Sequence, residues 1–343
     1  MTNYAMTIGL DVGDRYSHFC AINDADEMRR GRVKTSREDM GSWAKLLSPS
    51  QIVLEVGPHS RWLSQLLAQA GHEVVVANPR KVRLISQNTR KGDHRDAELL
   101  ARLGRADPKL LSPIKHRSDE MQRVVTLIKA RDGLVRARAR LINTVRGITK
   151  SFGFRLSRCS AETFHRLVLP SELEPQLCPL MAAISDLKDR IREYDRQLEQ
   201  AASALPATRA LREVVGVGPV LSLAFVAMLE DPGRFRRSRT VGAYLGLCPR
   251  RDQSGDSDPE LSISKAGNTY LRCLLVNAAH ALLRTKTRDS DLKRWGTARI
   301  VHCGKTGKKR IVVAVARKLA VLLLKLWKTG EKYEPMKNTS LAA

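Results

Sequence analysis

Runs of alternating and continuous apolar residues predict a group of β-strands in the first third of the chain. Alternation rich in β-branched residues predicts half-buried strands, and short continuous apolar runs predict strands buried on both faces. The polar breaks Gly13-Asp14 and Asn23-Asp24 are typical of hairpin turns, so the first three strands are expected to be antiparallel neighbours. The five predicted strands are residues 4–11, 16–23, 29–34, 51–56 and 73–77.

Helical periodicity and capping residues fill the intervals between these strands. Ser36 is placed to cap a helix that ends at Leu47, because acidic residues follow it in the first turn. Further helices are expected from His59 to Ala70, from Pro79 and from Asp93. The resulting order, β-β-β-α-β-α-β-α, matches the ribonuclease-H-like (RuvC-like) α/β fold, in which acids of the first and fourth strands meet acids of a late helix.

Four carboxylates lie where that fold would bring them together. Asp11 and Glu55 end two apolar strands, and Asp93 and Asp96 are three residues apart at a helix start, where they share one face. A lone Asp at a strand end is ordinarily a turn former or cap, but a Glu after a buried strand is costly to leave unpaired. Hard carboxylate oxygens suit Mg²⁺. In the fold that this order resembles, the acids hold two magnesium ions, so the resemblance implies a site for two Mg²⁺ ions, with Mn²⁺ as the alternative. Asp14 and Glu98 are weaker candidates, because Asp14 is typical of a turn and Glu98 points about 200° round the helix from Asp96 at ~100° per residue.

The middle of the chain is predicted to be a basic helix followed by a coiled-coil arm. Residues 115–150 read as one helix with ten Lys/Arg against three Asp/Glu. Its arginines Arg136, Arg138 and Arg140 are predicted phosphate contacts, with a solvated charged face as the alternative. After a loop expected to contain Pro170, Pro175 and Pro179, apolar residues from 180 to 205 repeat at spacings of four and three. That seam could pack on the basic helix or on a sister subunit.

The last third of the chain is predicted to be mainly α-helical and nucleic-acid binding. The turn Gly216-Val217-Gly218-Pro219 resembles that of a helix-hairpin-helix, whose exposed N–H groups bind DNA phosphate, although a plain tight turn is the alternative. Residues 265–328 contain sixteen Lys/Arg and two Asp/Glu, with apolar helices expected at 267–284 and 309–328. A loop at 304–310 is a further predicted phosphate contact through Lys305, Lys308, Lys309 and Arg310.

Charge and cysteine usage narrow the partners and the compartment. A formal net charge of +25 favours a polyanionic partner, nucleic acid before anionic membrane. No apolar run reaches the roughly 18 residues of a membrane span, and nothing at the N-terminus resembles a signal peptide. The six cysteines form no CxxC pair and indicate the reduced, mostly buried thiols of a cytoplasmic protein. The last dozen residues are expected to be disordered.

One series of short motifs after residue 243 carries a family resemblance. The order G-x-x-P-R (Gly246 to Arg250), Q-S-G (Gln253 to Gly255) and I-x-K-x-G-N-x-x-L-R (Ile263 to Arg272) resembles the second domain of the insertion-sequence transposases of the one-hundred-and-ten family. These DEDD transposases are also described as bridge-RNA-guided recombinases. The N-terminal half is similar as well, so the resemblance covers roughly residues 5–330.

The resemblance implies particular roles for these residues. In the family, four acids form a resolvase-like catalytic tetrad, which falls here on Asp11, Glu55, Asp93 and Asp96. A serine in the S-G loop acts with them; by motif it falls on Ser254, with Ser257 as the alternative. A phosphoserine link would conserve bond energy for rejoining. Cations expected to contact nucleic acid around this loop are Arg250, Arg251, Lys265 and Arg272.

These expectations amount to a DNA recombinase that moves its own insertion element. Its expected partners are donor and target DNA, a structured guide RNA and further copies of itself in a dimer or tetramer. One alternative is a metal-dependent, Holliday-junction resolvase-like endonuclease that uses only the acids. Another is a non-catalytic nucleic-acid-binding protein, for which the +25 charge alone would suffice. The predicted domains are 1–112 (catalytic), 113–205 (helical arm), 206–330 (second transposase domain) and 331–343 (tail).

Overall fold

The computed structural model divides the chain into two compact units, Met1–His116 and Arg117–Ala343. It describes residues 4–78, 92–255, 257, 259, 261–301 and 303–337. The helix predicted from Pro79 lies outside the described residues. None of the described helices is long and apolar enough to cross a membrane.

The first unit contains a mixed five-stranded sheet, as the pattern of apolar residues predicted. Each observed strand lies within two residues of its predicted bounds. The strands are β1 (Met6–Val12), β2 (Tyr16–Asn23), β3 (Met28–Lys34), β4 (Gln51–Glu55) and β5 (Glu73–Ala77). The sheet order is β3-β2-β1-β4-β5, in which the first three strands pair antiparallel and β1-β4 and β4-β5 pair parallel. This arrangement is consistent with a ribonuclease-H-like domain.

Helices cover both faces of this sheet. Helices α1 (Arg37–Lys45) and α2 (Ser60–Gln69) pack on one face, where Ile8, Leu10, Ile52 and Leu54 form a buried core with them. Ser36 caps α1 as predicted, by accepting a hydrogen bond from the Asp39 amide. Helix α3 (Asp93–Ala106) covers the other face. Burial on both faces explains why β4 reads as a continuous apolar run.

Helix α3 lies directly against the backbone of β1. A Cβ atom at Gly9 would lie 2.0 Å from the Ala97 carbonyl oxygen and 2.4 Å from the Ala101 amide nitrogen. Only a residue without a side chain permits this approach. The position of α3, and therefore of the acids at its start, is set by main-chain contact with the strand that carries Asp11.

The second unit begins with two long antiparallel helices, α4 (Asp119–Ser151) and α5 (Glu174–Ala204). The start of α4 shares a core with the end of α5, and the end of α4 shares another with the start of α5. The predicted seam residues Ile184, Ile191 and Leu198 are buried, so this seam packs within the chain. Supercoiling of the pair stays a prediction.

Two proline positions were predicted wrongly as loop. Helix α5 begins at Glu174, so Pro175 lies in its first turn and Pro179 lies inside it. Proline is tolerated in a first helical turn, because its missing N–H would have no intrahelical partner there. Proline content alone therefore overestimated the length of the connection after Pro170.

The rest of the second unit packs around one apolar helix. The helices are α6 (Pro206–Arg212), α7 (Pro219–Leu229), α8 (Val241–Tyr244), α9 (Thr269–Leu282), α10 (Asp291–Val301) and α11 (Lys305–Thr329). Every residue of α7 from Leu221 to Leu229 is buried, as expected of a central helix. The predicted apolar helices correspond to α9 and α11.

Two predictions near the C-terminus were wrong. The expected phosphate-binding loop at 304–310 is instead the start of α11, because its glycines do not interrupt the helix. The tail was expected to be disordered, yet residues 331–337 fold back onto the unit. The Pro335 carbonyl accepts a hydrogen bond from the Asp291 amide, and Tyr333 packs on the core. Residues 338–343 lie outside the described part of the chain.

Candidate active site

The structure brings the four predicted carboxylates into one electrostatic environment. Asp11 follows Leu10, which pairs with Leu54, so Asp11 and Glu55 are neighbours at the ends of parallel strands. Asp93 and Asp96 occupy the first turn of α3 over the same edge. The C-terminal ends of β1 and β4 and the start of α3 thus supply all four acids.

The ionisation of Asp11 reports this proximity. Burial and, after it, the negative charges of Asp93, Asp96 and Glu55, in decreasing order, together raise the pKa of the Asp11 carboxyl to about 6. Burial also raises the pKa of Glu55, with a second contribution from Asp96. Among the residues that the structure describes, no lysine or arginine forms an ion pair with these four acids, so negative charge is concentrated at the site.

The donor set fits a divalent cation, although the carboxylates are not gathered into a coordination sphere. In the described part of the chain, no three His, Cys, Asp or Glu side chains lie close enough together to hold one metal ion. The four acids nevertheless offer only hard oxygen ligands, which Mg²⁺ and Mn²⁺ prefer. A cation would lower the cost of ionising the half-buried Asp11, since that cost arises from burial and like charges.

One histidine beside these acids was not predicted. His18 of β2 pairs directly across from Asp11, and its Nδ1 lies 3.5 Å from Asp93 Oδ2. The ring of His94 packs edge-on against it, with centroids 4.6 Å apart. A single histidine on a strand carries no periodic signal. Counting the register back from the Gly13-Asp14 hairpin would have placed it opposite Asp11.

The two weaker candidates, Asp14 and Glu98, have other partners. The Asp14 side chain is 95% exposed and contacts His59. Glu98 instead forms ion pairs with Arg30 and Arg102, with N–O distances of 2.7 and 2.9 Å. Hydrogen bonds from these two arginines hold the pKa of Glu98 below its usual range.

In the second unit, the motif serines lie at the tip of a small hairpin. Pro249 pairs with Ile263 at its base, and Ser254 pairs with Ser257 at its tip. The Ser254 and Ser257 backbones exchange two hydrogen bonds of 3.0 and 3.1 Å. Gly255 adopts φ +56° in the turn between them. Both serines are exposed, so both hydroxyls are accessible.

The base of this hairpin is closed by interlocked glycines. Gly246 and Gly267 both adopt positive φ, +67° and +70°. A Cβ at Gly246 would lie 2.3 Å from the Ala266 nitrogen, and one at Gly267 would lie 2.1 Å from the Tyr244 oxygen. The two motif segments that flank the hairpin therefore pack backbone to backbone.

Two of the predicted nucleic-acid contacts are buried structural residues. Arg272 donates from Nη1 to the carbonyl oxygens of Leu245 and Ala266, over 3.0 and 2.7 Å, and is only 8% exposed. Arg138, also 8% exposed, donates to Glu162 over 2.5 Å. The prediction that these two arginines contact phosphate is wrong, because their guanidinium groups are buried and form hydrogen bonds within the protein.

The other predicted contacts keep a surface position where their side chains are described. The Arg136 side chain is 74% exposed despite its ion pair with Asp132. Gly216 has φ +85° in an exposed turn before α7, and Gly218 caps that helix. Exposed residues at the other predicted positions are Arg140, Arg250, Arg251, Lys265, Lys308, Lys309 and Arg310; the side chain of Lys305 is not among those described.

Comparison with known proteins agrees with the motif order. A model of the IS116/IS110/IS902 family of transposases matches residues 208–294, and a DEDD transposase model of IS110 matches residues 8–152. The chain is 29% identical to the transposase for insertion sequence element IS1111A of Coxiella burnetii over 337 residues, 95% of this chain and 90% of the relative. It is 29% identical to a probable family 20 transposase of Pseudomonas aeruginosa, covering 84% of this chain and 87% of that one. The pilin gene-inverting protein of Moraxella lacunata is 25% identical over 79% of this chain and 77% of its own length.

Proposed function

Because this chain belongs to the IS110 family of transposases, enzymes that cut and rejoin DNA, we propose that it moves its own insertion element by joint acid and serine chemistry. The observation that carries the proposal is the convergence of three carboxylates, Glu55, Asp93 and Asp96, on a fourth, Asp11. A structural role for this arrangement is disfavoured, since three like charges around a half-buried carboxyl group destabilise the fold.

The proposed ligands of two Mg²⁺ ions are the carboxylates of Asp11, Glu55, Asp93 and Asp96. When bound, they would activate the attacking oxygen and stabilise charge on the leaving oxygen. The protein's own contribution is placement: β1 and β4 hold Asp11 and Glu55 side by side, and the contact at Gly9 holds α3 above them. Side chains of this RuvC-like arrangement would have to rearrange to close around a cation, since no three of them lie close enough together in the described part of the chain.

Ser254 is the proposed nucleophile. Its Oγ would attack the phosphorus, an Oγ–P bond would form, and the P–O bond to the leaving DNA hydroxyl would break as the serine proton passes to the leaving oxygen. The phosphodiester is thus conserved as a phosphoserine ester, and attack by another strand's hydroxyl rejoins DNA. Exposed Arg250 and Lys265, on the hairpin and at its base, could stabilise charge on the phosphoryl oxygens.

The basic surfaces of the second unit are proposed to hold the nucleic acids. Helices α4 and α5 form a coiled-coil arm in this proposal, with Arg136 and Arg140 facing phosphate. The exposed turn at Gly216 and Gly218 would act as a helix-hairpin-helix, and Lys308 and Lys309 present charge at the start of α11. A structured guide RNA, donor and target DNA, and a dimer or tetramer of this chain complete the reaction in the bacterial cytoplasm, on the nucleoid.

The test is to trap the covalent intermediate. The chain is incubated with Mg²⁺, donor and target DNA and the non-coding RNA transcribed from the element, and serine-linked DNA is mapped by mass spectrometry. The linkage should map to Ser254, and Ser254→Ala and Asp11→Asn should each abolish strand exchange while Ser257→Ala retains it. Hydrolysis that survives Ser254→Ala, with no covalent product, would instead establish a resolvase-like endonuclease. Strand exchange at the wild-type rate by both Ser254→Ala and Asp11→Asn would refute the proposal.

A further inference from the structure

A row of side chains crosses the sheet from the acid group to its edge. Asp11 on β1 pairs with His18 on β2, and His18 pairs with Arg32 on β3. Directly paired residues of antiparallel strands point to the same face of a sheet. This is the face that carries α3, since Gly9, two residues before Asp11, contacts that helix. Arg32 is therefore two strands from Asp11 on the same surface.

Two more residues extend this row into a surface strip, defined as Tyr16, His18, Arg32 and Lys34. Tyr16 lies two residues before His18, hence on the same face, and pairs with Lys34 at the end of β3. The Arg32 guanidinium lies 4.8 Å from the centre of the Tyr16 ring, which confirms that both side chains share one face. Tyr16 is 41% exposed, unusual for a large aromatic side chain on a strand.

The outer part of the strip, Arg32 and Lys34, carries positive charge without acidic partners in the described part of the chain. Among the residues that the structure describes, neither Arg32 nor Lys34 forms an ion pair with a carboxylate. Arg30, two residues away on the same face, is by contrast neutralised by Glu98. The positive charge is therefore concentrated at the end of β3 nearest the four acids.

We propose that this strip binds the DNA strand that is cut, beside the scissile phosphate. Arg32 and Lys34 would contact phosphates, and Tyr16 offers a ring on which a base or sugar can pack. The occupant follows from continuity: the strip starts at His18, beside Asp93, so a strand leaving the acid group on this side must cross it. The four acids repel DNA, and cations immediately beside them offset that repulsion.

The distance between Asp11 and Arg32 predicts which DNA phosphates Arg32 and Lys34 contact. Neighbouring strands are about 4.8 Å apart, so Arg32 lies on the order of 10 Å from Asp11 across the sheet. Phosphates of one DNA strand rise about 3.4 Å per nucleotide along the duplex axis. The contacted phosphates are therefore about three nucleotides from the scissile linkage.

This inference rests on the proposed role of the acids, and the experiment separates the two. Fluorescein-labelled DNA carrying one end of the element is titrated with the full chain in Ca²⁺. The backbone linkages near the cut mapped by the trapping experiment are replaced by neutral methylphosphonate, one at a time. Arg32→Ala and Lys34→Ala are compared with Arg29→Ala, an exposed arginine on the opposite face of the same strand.

The expected result is a position-specific effect. A methylphosphonate about three nucleotides from the cut should weaken binding by wild type and by Arg29→Ala about five- to tenfold, while Arg32→Ala should already be weakened and insensitive to it. Arg32→Lys should restore most of the binding. Equal DNA affinities of Arg32→Ala, Lys34→Ala and Arg29→Ala would overturn the inference. So would Arg32→Ala and Lys34→Ala variants that bind the DNA normally and lose affinity only for the element's RNA. Because binding is read without cleavage, a failure of Asp11→Asn to block cutting would refute only the role of the acids.

Discussion

The Arg272 guanidinium donates a hydrogen bond to the Ala266 carbonyl oxygen over 2.7 Å, from beneath the hairpin that bears the motif serines. The same nitrogen donates to Leu245, and Nη2 donates to the Thr269 hydroxyl. Leu245 precedes the hairpin and Ala266 follows it. One buried side chain therefore ties together the two ends of the segment that carries Ser254.

Replacing Arg272 with methionine should loosen this hairpin and reduce strand exchange. The buried carbonyl oxygen of Leu245 and the partly buried one of Ala266 would lose their donor, at a total cost of about 1–3 kcal/mol in the free energy of unfolding. Chemical denaturation measures the loss, and limited proteolysis should show faster cleavage between residues 249 and 263. Arg284→Met, an exposed arginine just after the same helix, is the control and should change neither measurement.

The raised pKa of Asp11 predicts a pH-dependent effect of Asp11→Asn on stability. An acid whose folded-state pKa is raised, here from 3.8 to about 6, favours the folded state at low pH and loses that contribution as pH rises through about 6. In EDTA, the variant should exceed wild type above pH 6 by about 1 kcal/mol, a value reduced for partial solvent screening. Below pH 4 the two should unfold alike, and a constant difference across this range would contradict the assignment.

Divalent metal should stabilise the wild-type chain through the same carboxylates. Adding Mg²⁺ at about 100 times its dissociation constant should raise the free energy of unfolding by about 2.7 kcal/mol, because only the folded state assembles the site. Thermal unfolding with and without EDTA measures the shift. Asp96→Asn should reduce it strongly, whereas Asp14→Asn, at a side chain exposed outside the group, should leave it unchanged.

Gly9→Ala should disrupt the site without touching an acid. Its new Cβ would overlap the α3 backbone, so the helix must shift, at an expected cost of about 1–3 kcal/mol and a large loss of cleavage. Circular dichroism thermal melts and single-turnover cleavage measure the two effects. Gly41→Ala is the matched control of opposite sign. Its Cβ would meet only Leu66 at 3.9 Å, and alanine favours the interior of α1 by up to about 1 kcal/mol.

Two arginines of α4 should separate stability from nucleic-acid binding. Arg138→Met removes the buried partner of Glu162 and should lower the free energy of unfolding by about 1–3 kcal/mol. Arg136→Met should change stability by less than about 0.5 kcal/mol, since its ion pair is exposed. It should instead lower the slope of log affinity against log salt by about 0.9 for duplex DNA. Reversed effects would restore Arg138 as a phosphate contact.

The sheet and its acids could be predicted because local pattern determines both. Alternation predicted β1 to β3, continuous apolar runs predicted β4 and β5, and strand ends placed Asp11 and Glu55 at one edge. The role of these acids stays a prediction. His18 was missed, because only the register of a formed hairpin brings it opposite Asp11.

Buried charged groups cannot be recognised from local sequence alone. The sequence shows that Arg138 and Arg272 are basic. It does not show that the fold brings Glu162 to Arg138 or the Ala266 carbonyl oxygen to Arg272. The helix start at Lys305 and the packed segment 331–337 depend in the same way on distant partners. Such errors follow from tertiary contacts that override local composition.

The length of the helical arm sets a scale for the DNA that it could cover. With 33 residues at about 1.5 Å each, α4 is about 50 Å long, equal to about 15 base pairs of duplex. If its exposed arginines follow a duplex, nuclease protection should extend about one and a half helical turns along it. The length of DNA that the recombinase protects at each end would then be set by one helix, which extends from Asp119 to Ser151.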